Sequence, residues 1–144
     1  MIREATIEDI PSLVKMGSRF VTEGPVAGKL AHNVAQLEIL GHSMLENPNA
    51  RIFVSEEGAE LTGMLGLLLY HHPISGVLGA GELFWWAEPE KRGGGVRLLK
   101  RAQRWVREAG GKWLQMGAPD QRVGHFYKRL GFSPIETLYQ MELL

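Results

Sequence analysis

The stretch 82–110, ELFWWAEPEKRGGGVRLLKRAQRWVREAG, constrains the fold of this chain more than any other. It consists of an apolar run, a turn marked by Pro89, three consecutive glycines and a long amphipathic segment. A second short apolar run, KWLQMG at 112–117, follows directly. Strand, helix and strand in this order form a crossover whose two strands lie parallel in one sheet. The chain is therefore predicted to be an α/β protein whose sheet contains a parallel pair.

The other segments supply further strands and helices around this unit. Apolar residues at helical spacing predict helices over 6–21, 31–46, 95–109 and 122–130. Extended patterns predict strands over 2–5, 51–55, 61–72, 82–87, 112–117 and 133–143. The run 61–72 is nearly all apolar, so it is expected at the centre of the sheet. We expect one domain, 1–144, because the chain is long enough to bury a core and has no long linker.

The glycine triplet at 93–95 stands where an extended segment passes into a helix. The first helical N–H groups there point outward with no side chains in the way, which favours binding of a phosphate or another anion. The charge pattern agrees, because 91–112 carries eight Lys or Arg and one Glu, although the formal net charge of the chain is zero. A flexible turn that only joins strand to helix would explain a lone triplet equally well.

Several kinds of site are excluded or disfavoured. The chain has no cysteine, which excludes disulfides, thiolate metal sites and a cysteine nucleophile, and is compatible with a cytoplasmic location. No apolar run approaches the roughly 20 residues of a membrane span, so no membrane association is expected. His71 and His72 are adjacent on a predicted strand and diverge, so no metal site is predicted.

Two motifs together suggest a family. The segment AEP at 87–89 leads into RGGGVR at 92–97, and FYKRLGF follows at 126–132. The chain thereby resembles the GNAT superfamily of acetyl-CoA-dependent N-acetyltransferases, in which a strand ending V-x-P precedes R/Q-x-x-G-x-G/A and, later, F-Y-x-x-L-G-F. The order of elements along essentially the full length is also similar. Arg97 departs from the pattern, because the family usually has Gly or Ala there. The tryptophan pair and the RGGG spelling also resemble small members from phage and prophage genomes.

The resemblance implies a fold and a cosubstrate. The fold would be a mostly antiparallel central sheet of six to seven strands, with a parallel pair around the site for coenzyme A and about four flanking helices. Acetyl-CoA would be the cosubstrate, with no metal. The residues implied in binding it are Trp85, Trp86, Ala87, Arg92, Gly93, Gly94, Gly95, Val96, Arg97 and Leu98.

The resemblance also implies catalytic roles. Tyr127 matches the position whose phenol protonates the departing thiolate, and its pKa near 10 keeps it protonated at neutral pH. The alternative is a core aromatic residue. Glu82 lies close to where many members place a carboxylate that deprotonates the amine, directly or through water. An exposed acid at a strand start is an equally good reading of Glu82, and Glu136 and His125 are substitute bases.

The implied activity is direct transfer of an acetyl group to a primary amine in a ternary complex, the acceptor being a small molecule or a peptide. Phe20, Trp85 and Tyr139 are predicted to line the acceptor pocket. One alternative is a regulator that binds coenzyme A without catalysis. Another is a nucleic-acid-binding module built on the basic helix at 97–107, which the zero net charge and the lack of a base-reading motif disfavour. The oligomeric state stays open, a homodimer included.

Overall fold

A five-stranded mixed sheet carries four α-helices in the computed structural model, which describes residues 1–91 and 93–143. The elements are β1 Ile2–Glu4, α1 Ile10–Glu23, α2 Val34–Glu46, β2 Ala50–Glu57, β3 Glu60–His71, β4 Leu78–Ala87, α3 Gly93–Glu108, β5 Leu114–Gln115 and α4 Gln121–Arg129. Short 3-10 turns at Ile7–Asp9 and Pro89–Lys91 precede α1 and α3.

The strands lie in the order β1-β2-β3-β4-β5. The first four pair antiparallel, and the apolar β3 lies at the centre as predicted. Strand β5 runs parallel to β4 but meets it through only two pairs, Ala80 with Leu114 and Gly81 with Gln115. The mixed sheet with one parallel pair is thereby confirmed.

The core occupies both faces of the sheet. One face packs against α1 and α2 through Ile10, Leu13, Met44 and Trp86. The other packs against α3 through Phe53, Leu65, Leu67, Leu98 and Ala102, all fully buried. Because strand residues alternate between faces, Leu65 and Leu67 identify the α3 face and Met64 the α1 face. The face on which a β4 side chain lies determines which other side chains it can contact.

Strand β4 begins earlier than predicted. The strand was predicted over 82–87, whereas β4 starts at Leu78. A Cβ at Gly79 would lie only 2.0 Å from the indole of Trp113. The glycine is therefore required for packing of an aromatic ring on the strand, and not for a turn.

The expected number of six to seven strands is wrong. The described residues form five strands, and the last predicted strand is the one that is missing. The described residues 133–143, predicted as a strand, form no ladder and are largely exposed. Their apolar pattern suits a strand, but a strand requires a neighbour for its backbone groups. Within one copy of the described chain, no such neighbour lies beside this segment.

Candidate active site

A bulge in β4 determines which way Glu82 faces. Gly66 of β3 pairs with Phe84, but Leu67 pairs with Glu82, so Leu83 is an extra residue in β4. Without it, Glu82 would share a face with Phe84 and Trp86. With it, Glu82 shares the α3 face with Trp85, because their partners Leu67 and Leu65 both point there.

Beyond Gly81 the strands β4 and β5 diverge, and side chains connect them. The N–H of Gly117 donates to Oε1 of Glu82 at 2.6 Å. The hydroxyl of Tyr127 donates to the carbonyl oxygen of Gly117 at 3.0 Å. Both peptide groups flanking Gly117 are thus engaged, and they link Glu82 on β4 to Tyr127 on α4. The sequence analysis did not identify Gly117.

Local sequence explains the position of Tyr127. Asp120 caps the start of α4, accepting a hydrogen bond from the N–H of Val123 at 2.9 Å. Gly131, with φ of 96°, ends the helix and lets the N–H of Phe132 reach the carbonyl of Tyr127 at 3.0 Å. The Phe132 ring then packs on Tyr127 with centroids 5.2 Å apart. The L-G-F end of the motif therefore fixes the tyrosine ring.

Burial shifts the pKa values of both acids upward. It raises the pKa of Glu82 to about 7, against a smaller opposing effect of the Gly117 hydrogen bond. Burial also raises the pKa of Tyr127, and the nearby charge of Glu82 raises it further. Near neutral pH the carboxyl exchanges its proton readily, whereas the phenol keeps its own. The pair therefore combines an acceptor and a donor of protons in one cleft.

Trp85 connects this pair to the glycine triplet. Its indole stacks against Tyr127 with centroids 5.9 Å apart and an interplanar angle of 26°. At its other end, Cζ2 lies 3.5 Å from the place where a Cβ on Gly95 would be. The indole of Trp85 thus lies between the start of α3 and the Tyr127 ring. Trp86, the next residue, faces the opposite side of the sheet.

The fold alone does not require the glycine triplet. None of Gly93, Gly94 and Gly95 has a positive φ, and added Cβ atoms would make ordinary contacts of 3.5 Å or more, or none. Because α3 begins at Gly93, the N–H groups of its first turn lack helical partners. Donors without helical partners at a helix start that carries no side chains suit a phosphate group.

Arg97 lies on the β2 side of this helix start. It borders a cavity of about 330 Å³ together with Gly93, Gly94, Lys91 and Glu57. The side chain is exposed, so it does not fill the space beside the triplet. Val96 is half-buried and Leu98 is fully buried, so Leu98 can meet a ligand only through its backbone. Arg92 lies outside the described residues.

The residues predicted to line an acceptor pocket do not come together within one chain. Phe20 packs edge-on against Trp86 on the α1 face, with centroids 6.2 Å apart. Trp85 lies on the α3 face, and Tyr139 is 89% exposed in 133–143. The substitute bases Glu136 and His125 are exposed as well.

An ion pair holds α1 against the far end of β4. Arg19 pairs with both Glu23 and Glu88, the residue that follows β4. The ring contact of Phe20 with Trp86 lies beside this pair. The α1 face at this end of β4 therefore carries the half-buried Phe20 ring on the buried Trp86, next to an arginine that binds two carboxylates.

We expect the substitution Gly117→Ala to raise the pKa of Glu82 above 7. A Cβ there would lie 3.1 Å from Oε1 of Glu82, so the carboxylate must retreat and its hydrogen bond must lengthen. That bond stabilises the ionised form, so weakening it favours the proton. Titration of the carboxyl carbon by NMR measures the change, with Gly124→Ala in α4 as control. An unchanged Glu82 pKa in Gly117→Ala would contradict the role given to this hydrogen bond.

Two kinds of feature are not found in the part of the chain that the structure describes. Its His, Asp and Glu side chains form no group of three or more able to hold a metal ion. Its helices include none long and apolar enough to cross a membrane.

Solved structures share this fold at low sequence identity. A transcriptional regulator from Bacillus halodurans superposes with a TM-score of 0.82 and 22% identity, covering 99% of each chain. A predicted acetyltransferase with acetyl-CoA from Clostridium acetobutylicum gives a TM-score of 0.82 and 18% identity, covering 99% of this chain and 95% of that one. An aminoglycoside antibiotic 6'-N-acetyltransferase from Acinetobacter haemolyticus gives 0.76 and 14%, covering 100% and 98%.

Comparison at the level of sequence gives the family. No curated protein sequence matches the chain. The family model described as acetyltransferase (GNAT) family matches residues 23–132, which include the glycine triplet, the bulged strand, Gly117 and Tyr127. The chain therefore belongs to the GNAT acetyltransferase family.

Proposed function

We propose that this protein transfers the acetyl group of acetyl-CoA directly to a primary amine, with both substrates bound at once. The observation that carries the proposal is the hydrogen-bonded series Tyr127, Gly117, Glu82 beside the divergence of β4 and β5. It offers a proton donor and a proton acceptor that are linked through the two peptide groups of Gly117. Because the chain has no cysteine, the acetyl group cannot pass through a cysteine thioester on the protein, which agrees with direct transfer.

Glu82 is the proposed base. An amine is protonated at neutral pH and must lose a proton before it can attack a thioester. A carboxylate with a pKa of about 7 is matched to that task near neutral pH. We propose that Glu82 takes the proton through an ordered water, because its Oε1 already accepts from Gly117.

Tyr127 is the proposed acid. When the carbon–sulfur bond breaks, the departing thiolate needs a proton, and the phenol supplies it. The raised pKa of Tyr127 keeps that proton in place until the sulfur becomes basic. The hydrogen bond to the Gly117 carbonyl holds the hydroxyl at the cleft.

The start of α3 is the proposed site for the coenzyme A phosphates. Backbone N–H groups of the first turn, from Gly93 to Gly95, are the donors, and Arg97 is exposed beside them. Arg92 is proposed to add charge. The pantetheine arm is proposed to follow β4 beside Trp85, and a backbone N–H near Trp85, Trp86 or Ala87 would stabilise the oxyanion.

The acceptor is proposed to enter from the α1 face. The half-buried Phe20 ring packs there on the buried Trp86, and Glu23 and Glu88 lie near it, both bound to Arg19. The open part of the Phe20 ring suits a cationic amine on a small molecule or peptide.

Calorimetry with acetyl-CoA, followed by thiol release against a panel of amines, tests the proposal. We expect saturable binding and amine-dependent release of free coenzyme A. Absence of saturable binding would overturn both the proposed transferase and the alternative of a regulator that binds coenzyme A without catalysis. Binding without release for any amine, from polyamines to peptide N-termini and lysines, would favour the regulator. Salt-dependent affinity for DNA without acetyl-CoA binding would favour the nucleic-acid-binding module.

Alanine in the glycine triplet should weaken acetyl-CoA without harming the fold. The variants Gly93→Ala and Gly95→Ala add methyl groups at the helix start, where the chain itself has room. We expect affinity to fall about tenfold or more, equivalent to about 1.4 kcal/mol. The thermal midpoint should stay level or rise, because alanine favours a helix over glycine.

The matched control is Gly124→Ala, a helical glycine whose added Cβ would meet Ala118 at an ordinary 3.9 Å. Calorimetry gives the affinity, and thermal unfolding gives the stability. Unchanged acetyl-CoA affinity in both triplet variants would contradict the phosphate role of this helix start.

A further inference from the structure

A polar cavity of about 330 Å³ lies on the β2 side of the first turn of α3, and the proposed chemistry leaves it unused. The glycine triplet separates it from Trp85. A Cβ added at Gly95 would lie 3.5 Å from the Trp85 indole, whereas one added at Gly94 would lie 3.6 Å from Oγ of Ser55, which lines the cavity. Arg97 lines it too, because residues three apart lie on one side of a helix. The helix start therefore borders two different spaces.

Two buried hydroxyl groups line this cavity. Ser55 is 4% exposed and Thr62 8%, and their oxygens are 3.0 Å apart. A register shift makes Thr62 an extra residue in β3, so its hydroxyl lies beside that of Ser55 on the α3 face of the sheet. A hydrogen bond between two hydroxyls uses only one of their two protons. Neither hydroxyl bonds to any other described residue, so one buried O–H donor requires an acceptor from the cavity.

Most of the charged side chains around the cavity are already paired. The guanidinium of Arg3 donates to both carboxylate oxygens of Glu56, at 3.0 and 3.4 Å. Nζ of Lys91 lies 2.6 Å from Oε2 of Glu57. The charge of each of these lining residues, Glu56, Glu57 and Lys91, is thus balanced by a neighbour.

Two charged side chains of opposite sign remain on the lining, Glu90 and Arg97. Glu90 lies on the short turn before α3, and Arg97 lies within the helix. Both are exposed, and neither forms an ion pair with another described residue. The cavity thus offers one anionic group, one cationic group and one buried O–H donor. A complementary ligand carries a cation, an anion and a hydrogen-bond acceptor.

A free α-amino acid has these groups on a single carbon. Its carboxylate can accept hydrogen bonds from the Arg97 guanidinium and from the hydroxyl pair, while its ammonium group donates to Glu90. A phosphate ester would instead bring up to two negative charges beside Glu90, and a metal cation would leave Arg97 unmatched. The cavity volume lies at the lower end of the range of about 300–1,000 Å³ for small-molecule sites, which suits a ligand of this size.

We infer that this cavity binds a free α-amino acid, held through its ammonium and carboxylate groups by Glu90 and Arg97. The site is distinct from the cleft of Glu82 and Tyr127, because it lies across the first turn of α3 from Trp85. Binding there gives a role to Arg97, which stands where the GNAT family usually has Gly or Ala. No chemical step is involved.

An amino acid is also a primary amine, so binding in the cavity must be distinguished from binding as an acceptor. Two-dimensional NMR of the backbone amides, with each common L-amino acid and without acetyl-CoA, makes this distinction. We expect at least one to shift the amide signals of Ser55, Glu57 and Thr62 saturably below about 10 mM, the affinity expected for about ten non-hydrogen atoms. Shifts confined to Gly117 and Tyr127, or no saturable shift below that concentration, overturn the inference.

The charged pair is tested with the amino acid that binds most tightly. Glu90→Gln and Arg97→Gln should each weaken its binding about tenfold or more, because each removes a charge-assisted hydrogen bond. Both residues are exposed, so the fold should be kept, and thermal unfolding checks this. The matched control is Arg107→Gln, at an exposed arginine in the last turn of the same helix, which should bind as the wild type does. Unchanged affinity in either cavity variant overturns the inference.

Ligand analogues separate a direct contact from an indirect effect on the fold. The amide of the same amino acid lacks the negative charge, and its N-acetyl derivative lacks the positive one. The amide should bind the wild type about tenfold more weakly, and Arg97→Gln should add little to this loss. The N-acetyl derivative should show the same relation to Glu90→Gln. Losses that simply add in both pairs would mean that neither side chain contacts the ligand, and would overturn the inference.

These readouts need no acetyl-CoA and no acetyl transfer. Acetyl-CoA affinity measured on the same samples reports on the proposed function separately. A protein that transfers acetyl groups but binds no amino acid in the cavity would overturn the inference alone. A protein that binds an amino acid there but not acetyl-CoA would overturn the proposed function alone.

Discussion

The variant Tyr127→Phe is expected to lower kcat by about 10²- to 10³-fold while acetyl-CoA affinity changes by less than about threefold, as general-acid catalysis contributes on this order. The phenyl ring keeps its packing against Trp85 and Phe132, so the cleft retains its shape. Only the hydroxyl is lost, and with it the proton for the thiolate. One hydrogen bond, to the Gly117 carbonyl, also disappears, at a cost of about 1 kcal/mol in the free energy of unfolding.

Steady-state kinetics with free-thiol detection, combined with calorimetry, measures both quantities. The matched control is Tyr70→Phe, which removes a hydroxyl on β3 from a ring packed against Trp113. We expect that variant to stay within about twofold of the wild-type rate, since a structural hydroxyl contributes only to stability. Undiminished turnover of Tyr127→Phe would contradict the acid role of the tyrosine. Its role would then be packing alone.

The positions of Tyr127 and of the glycine triplet could be predicted because local patterns determine them. The segment FYKRLGF contains its own helix end, with Gly131 in the left-handed region and Phe132 folded back on the tyrosine. The triplet is likewise read from its place between a strand and an amphipathic helix. Motifs of this kind are short-range, so neither depends on distant parts of the chain.

The orientation of Glu82 could not be predicted because it depends on a register shift. Simple alternation places Glu82 on the face of Trp86, away from Tyr127. The extra residue Leu83 reverses this, and its presence is visible only in the pairing of β4 with β3. Gly117 was missed for a related reason: its role depends on how far β5 diverges from β4, which no local pattern encodes.

The last predicted strand illustrates the opposite error. The apolar pattern of 133–143 is a property of the segment, whereas a strand is a property of a pair. Sequence reasoning assigned the strand without a partner, and within one copy of the described chain none is present.

The variant Glu82→Gln is expected to lower kcat by about 10²-fold and to remove its dependence on pH near 7, as loss of a general base does. In the wild type the carboxyl must be ionised to accept the proton of the amine. With a pKa of about 7, raised by burial, kcat should rise tenfold per pH unit at acidic pH and level off above about pH 7. Glutamine can still accept the hydrogen bond from Gly117, so the cleft geometry is kept.

The same substitution should stabilise the fold at alkaline pH. Between pH 4.5, the ordinary pKa of the carboxyl, and about pH 7, the folded protein holds a proton that the unfolded chain has released. Stability is therefore lost as pH rises through this range. For a rise in pKa from 4.5 to about 7 the loss is at most about 3 kcal/mol. Glutamine does not ionise, so Glu82→Gln should unfold about 6–10 °C higher than wild type at pH 8 and at the same temperature near pH 4.

Thermal unfolding across this pH range, with kcat measured on the same samples, separates the two effects. The control is Glu38→Gln on the exposed part of α2, which should change neither quantity. Loss of the pH dependence of kcat without added stability at pH 8 would mean that Glu82 acts as the base from a position exposed to solvent. Added stability with an unchanged profile would mean that another group takes the proton. Only the two together match a base whose pKa is raised by burial at a cost to the stability of the fold, in the position that the bulge at Leu83 gives it.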